Sequence, residues 1–145
     1  MRFILLGFAA LLAGCGPKDT YEFNTIEVQL PGGQVIHSET AIDQQQLIKG
    51  LRYRNKLAPD HGMLQFWRAP GRYPYWMYQV GMPLDIVWMD SNRRIVEIVQ
   101  NAPPCNGDPK ACPHYGGTRD ALYVLQVAGG MAAKYKLELG QTLGF

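Results

Sequence analysis

Short apolar runs closed off by turn residues restrict this fold more than any other feature of the chain. In residues 21–30, Ile26, Val28 and Leu30 alternate with Glu27 and Gln29, the period of a half-buried strand. Pro31-Gly32-Gly33 turns the chain, and residues 34–41 are predicted as the returning strand. Asp43 and Gln46 form a variant capping box that predicts a short helix over residues 44–49, ended by Gly50. Further strands are expected in the runs 63–67, 84–89, 95–99 and 122–127. One in 73–78 is expected at an edge because of Pro74. A long Pro/Gly loop spans 101–118, one helical turn is expected within 128–135, and a final strand over 136–143. About eight short strands with one or two short helices predict a mainly β domain, mostly antiparallel, barrel-like or sandwich. With 47% hydrophobic and 11% aromatic residues the chain can bury a core rather than stay disordered.

The first fourteen residues have another purpose. Met1-Arg2 gives a positive start, and residues 3–12 form an apolar stretch of about ten residues, half of what a spanning helix needs. Leu12-Ala13-Gly14-Cys15 resembles the lipobox of bacterial lipoproteins. That resemblance implies cleavage before Cys15, lipid on its thiol and acylation of the new amino terminus. Several acyl chains anchor stably where one does not. The division expected is a signal peptide over 1–14, a polar tether over 15–20 and one domain over 21–145. Gly16 after the cysteine resembles the pattern of lipoproteins sent to the outer membrane of a Gram-negative host, facing the periplasm.

Two cysteines remain. Export places Cys105 and Cys112 where disulfides persist, and a pair within one loop is expected to bond to itself. The alternative is a metal site completed by His114, at a spacing unlike the close Cys pairs of zinc sites. No cofactor or metal is expected.

Several segments are familiar in order: Lys49-Gly50-Leu51-Arg52-Tyr53-Arg54, Gly62-Met63-Leu64, Trp76-Met77, Pro83-Leu84-Asp85-Ile86 and Asn101-Ala102-Pro103-Pro104-Cys105. Together with Cys112-Pro113 and Tyr115, set one residue apart by His114, they resemble the domain-of-unknown-function family numbered 192, over about residues 27–143. The resemblance implies a small β-rich, barrel-like, often exported domain with no established activity. Tyr78-Gln79-Val80 departs from the Lys-Asn-Thr usual in that family, so any family site there has altered polar groups.

The chain contains no nucleophile elbow, no H-E-x-x-H, no phosphate-binding Gly-rich loop and no dinucleotide fingerprint. Asp85 stands alone in the apolar run 82–89, where a carboxylate must be paired or hydrogen-bonded. It is a weak candidate acid/base with His61, and otherwise a structural carboxylate. Six aromatics (Trp67, Tyr73, Tyr75, Trp76, Tyr78 and Trp88) crowd one span and are readable as a stacking groove or as core. Met63, Met77, Met82 and Met89 in the same region are readable as Cu(I) thioethers or, preferably, core. Residues 49–72 carry a formal +5 within a chain of +2, enough for an acidic partner but not a nucleic-acid footprint.

The reading that follows is a non-catalytic envelope lipoprotein that binds a ligand or partner, including an anionic envelope polymer, through Arg52, Arg54, Met63, Trp76, Met77 and Asp85. The alternatives are an envelope hydrolase using Asp85 and His61, and a purely structural protein.

Overall fold

The computed structural model describes residues 23–145. Cys15, the tether and the start of the run 21–30 lie outside the described residues.

Eight strands form in chain order: β1 Thr25–Gln29, β2 Val35–Ala41, β3 His61–Gly71, β4 Tyr75–Trp76, β5 Leu84–Met89, β6 Ile95–Ala102, β7 His114–Tyr115 and β8 Ala121–Ala128. Helix α1 covers Gln44–Lys49 and α2 covers Met131–Lys134. Six strands make one sheet in the order β1-β2-β3-β8-β5-β6, and β4 pairs with β7 in a separate ribbon. Every pairing is antiparallel except β2 with β3. A parallel pair needs a crossover, and α1 lies in it. The capping box forms as expected: Asp43 Oδ1 accepts from Gln46 N at 2.8 Å, and Gln46 Oε1 accepts from Asp43 N at 3.3 Å. Gly50, at φ 47°, takes the chain out of the helix.

Strand alternation sorts the core onto two faces. Val28, Ile36, Leu64, Val87 and Leu125 pack on one, beneath α2 and the C-terminal residues Leu137 and Leu143. Met63, Leu84, Ile86, Trp88 and Val124 pack on the other, beneath Leu51, Met77 and Tyr115. Trp88 is fully buried and donates its indole N–H to Tyr73 O at 2.8 Å. Burying such a ring contributes roughly 2–3 kcal/mol. Met63, Met77, Met82 and Met89 are all buried here as core.

Three expectations need correction. The sheet is sandwich-like and does not close into a barrel, since β1 and β6 never pair. The final strand expected over 136–143 does not form. Lys136 at φ 53° and Gly140 at φ 87° fold that stretch into turns, leaving single bridges from Thr142 to Arg94 and from Gly144 to Gln29. The edge strand expected over 73–78 shrinks to two residues. Its partner β7 arises inside the 101–118 loop, beside the bond between Cys105 and Cys112.

Candidate functional site

The loop after α1 is locked against the segment containing Tyr78-Gln79-Val80. Tyr53 N donates to Gln79 O at 2.6 Å, and Gly81 N donates to Arg54 O at 2.8 Å. The cysteine loop holds that segment from behind: Gln79 N donates to Cys105 O at 3.1 Å, and Cys105 N donates to Met77 O at 3.3 Å. The disulfide joins Cys105 to Cys112 with Cα atoms 5.8 Å apart, so both sulfurs are committed to each other. His114 stacks on Trp76 across the β4–β7 pair, with ring centroids 6.0 Å apart and planes within 5°.

Between this clasp and the sheet lies a cleft of about 210 Å³, lined among others by Arg52, Gln65, Trp67, Tyr75, Trp76 and Gln126. Its floor is polar. Gln65 and Gln126 are buried neighbours from β3 and β8, and the Tyr75 hydroxyl donates to Gln65 Oε1. The Tyr75 ring is half-buried, but its oxygen lies deep, and burial pushes the phenol well above its ordinary pKa. A neutral phenol donates, and that fixes the direction of the relay. Gln65 Nε2 donates onward to Gln126 Oε1 at 3.5 Å, which leaves the Gln126 amide NH₂ as its last donor. The indole N–H of Trp67 is close enough to oppose the Tyr75 shift, yet it forms no hydrogen bond of acceptable geometry.

The walls are cationic. Lys49 and Arg52 line the cleft, and among the described residues no carboxylate does. Arg52 Nη2 donates to Gln79 Oε1 and, at 3.4 Å, to the Tyr53 hydroxyl. Its guanidinium lies 5.4 and 5.7 Å from the Tyr53 and Tyr78 ring centres, and its buried Nε donates to no protein acceptor. No ion pair neutralises Arg52 among the described residues. Arg54 behaves differently. It grips Glu39 with both terminal nitrogens, Nη2 to Oε2 at 2.6 Å, and this partnership raises its pKa.

The candidates read from the sequence therefore separate. Arg52, Trp76 and Met77 come together at the cleft. Met63 is fully buried in the core, and Arg54 is occupied by Glu39. Asp85 has no exposed surface; its Oδ1 accepts from Asn101 N and its Oδ2 from Ala132 N, each at 2.7 Å. It caps α2, whose own N-cap residue is Gly130 and offers no side chain. His61 is exposed and pairs with Asp60 at 2.8 Å, drawing the Asp60 pKa down. Gly62 is level with Val127 and Asp85 across the sheet, so His61, one residue away, faces the other side. The Asp85–His61 pair needed for a hydrolase does not assemble.

Gln65 and Gln126 were not singled out in the sequence. The available signal was the one that marked Asp85: a polar side chain in the middle of an apolar strand run.

A curled six-stranded sheet with one donor-lined cleft defines a class of small sandwich-like β domains. The chain belongs to the DUF192 family, described as an uncharacterized ACR, whose pattern matches residues 26–145. It is similar to a crystal structure of a protein of unknown function from Novosphingobium aromaticivorans DSM 12444. That likeness has 27% identity and a TM-score of 0.76, and covers 90% of each chain. A second similar structure, from Sinorhizobium meliloti 1021, is named as a candidate transcription regulator. It is 28% identical with a TM-score of 0.73, over 84% of this chain and 94% of that one. Among curated proteins none matches.

Proposed function

We propose that this chain is a lipid-anchored envelope protein whose cleft binds a small ligand through an anionic group, without chemistry of its own. The observation that carries the binding reading is the imbalance of the cleft. It gathers Arg52 and the terminal NH₂ of Gln126 around a space that no carboxylate lines among the described residues. A carboxylate accepts from such a set, and charge-assisted bonds to Arg are the strong kind. Trp76, stacked on His114 and Tyr78, adds an aromatic edge to the lining that a sugar or ring can pack against. The acidic end of an envelope polymer has the same chemistry. The anchor reading rests on Leu12-Ala13-Gly14-Cys15 and predicts an acylated Cys15 at the amino terminus of the mature product.

Titration calorimetry with small carboxylates, with and without an attached ring, tests the cleft. Arg52→Gln is expected to weaken binding by about 10-fold or more, the loss of one charged hydrogen-bonding partner. Arg54→Gln, away from the cleft, is expected to change it by less than about 2-fold. Equal losses for both variants, or no carboxylate bound by the parent, would refute the assignment.

A further inference from the structure

The apolar side chains that the domain leaves in water are not scattered. Among the described residues Ile42, Ile48, Tyr53, Trp76 and Leu139 are the large exposed ones, and all but Leu139 gather around α1. Ile48 is the hub. It shares a groove of about 560 Å³ with Ile42, Trp67 and Tyr73, a shallower hollow with Tyr53, and the rim of the ligand cleft with Trp76. Ile42, just before α1, and Ile48, within it, are 55% and 64% exposed, and the helix fully buries none of its side chains. Arg68 lines the groove and Arg52 the hollow; among the described residues no carboxylate lines either, and Asp43 lies in the adjoining hollow with Ile42 and Arg68.

The chain enters the fold beside this face. Asn24 lines a further hollow with Ile42 and Trp67, and Phe23 lies under the Arg54 guanidinium at 5.8 Å. Seven residues lie between Cys15 and Phe23, and the eight backbone steps make a leash of at most about 28 Å when fully extended. An anchor at Cys15 would keep the entry point within that distance of whatever carries it.

We infer that the α1 face rests on an anionic lipid surface, with Ile42 and Ile48 entering the headgroup region and Arg52 and Arg68 meeting phosphates. The inference rests on the lipid-anchor reading. Aliphatic tips, an aromatic fringe and long cationic side chains are the combination that lies in a membrane interface rather than across it. A second consequence concerns the cleft: its rim residue Ile48 is then at the membrane, so the cleft opens along the bilayer rather than away from it.

The test uses the native acylated protein, reconstituted in vesicles of phosphatidylethanolamine and phosphatidylglycerol with brominated acyl chains. Tryptophan is introduced by Ile48→Trp in one variant and by Leu139→Trp in another, both at exposed positions. The added fluorescence is expected to be quenched at least about three-fold more at 48 than at 139, given a seating depth of 5–10 Å. The excess is expected to shrink when Arg52 and Arg68 are both changed to Gln. Equal quenching at the two positions, or none at 48, overturns the inference, and this includes the case in which a protein partner covers the face. Mass spectrometry of the same preparation separates the two readings. An unmodified Cys15 defeats the anchor, whereas an acylated Cys15 with equal quenching defeats the orientation alone.

Discussion

Two buried polar groups in this domain show how differently a side chain can be held. Asp85 has each oxygen occupied by a backbone amide, Asn101 N and Ala132 N, so its side chain ties β5 to the end of β6 and to the start of α2. Tyr75 is instead neutral and donates, and its raised pKa follows from burial of the hydroxyl. A phenol whose folded pKa lies above its unfolded value near 10 keeps its proton while the unfolded chain loses it. The stability it contributes is therefore complete below about pH 10 and lost as pH rises beyond it. With one proton held in the folded state, the loss attributable to Tyr75 approaches about 1.4 kcal/mol at pH 11. Urea denaturation of the parent and of Tyr75→Phe from pH 8 to 11 measures it. The variant begins weaker at pH 8, because Gln65 Oε1 loses its donor, and declines less steeply. Parallel curves would mean that the hydroxyl is not sequestered. Asp85 was legible in the sequence because one acid among seven apolar neighbours has few fates. Gln65 and Gln126 were harder to see, since an uncharged amide in a strand is ordinary until its cross-strand partner is known.

At the scale of elements, local chemistry wrote some boundaries and long-range packing wrote others. Helix α1 begins and ends where its cap and Gly50 dictate, all within neighbouring residues. The loop after β6 is governed from outside. Gly116 sits at φ 61°, and a Cβ there would lie 2.3 Å from Trp88 Cη2. Gly130 has a similar φ of 88° with nothing within 4 Å. Gly130→Ala therefore isolates the backbone penalty, about 1–2 kcal/mol. Gly116→Ala adds a collision with a buried ring and is expected to cost about 2–4 kcal/mol in total. Thermal or urea unfolding of the two variants gives the comparison, and equal losses would place Trp88 elsewhere. The same dependence explains why β7 was not foreseen. Its residues lie in a Pro/Gly loop, and they become a strand through pairing with β4 beside the disulfide. The strand expected over 136–143 failed for the opposite reason: its alternation was present, but Lys136 and Gly140 take left-handed conformations that interrupt it.

The order of the strands in the whole molecule is set by contacts that no local pattern encodes. Strand β8, last in the chain, inserts between β3 and β5, and β2 runs parallel to β3. Mostly antiparallel β structure was readable from turn spacing; this insertion was not, because apolar alternation states which face is buried and not which neighbour is met. The insertion leaves β1 and β6 as open edges. The C-terminal tail crosses between them, pairing Gln29 with Gly144 at 2.7 and 3.0 Å and linking Ile95 N to Gln141 O at 2.8 Å. Leu143 is buried to 1% exposure in the adjoining core, and Phe145 packs edge-on against Phe66 and Tyr123. The tail thus restrains both edges where a closed barrel would have hydrogen-bonded them. Removing residues 141–145 is expected to cost more than the 2–5 kcal/mol of a buried Leu→Ala change, because edge hydrogen bonds are lost with the side chain. The exposed edges should also promote self-association. Leu143→Ala, which empties the core site and keeps the backbone bridges, should lose stability while remaining monomeric. Denaturant midpoints and sedimentation velocity on the two variants separate these effects, and a truncated chain as stable and monomeric as Leu143→Ala would deny the tail its role at the edges.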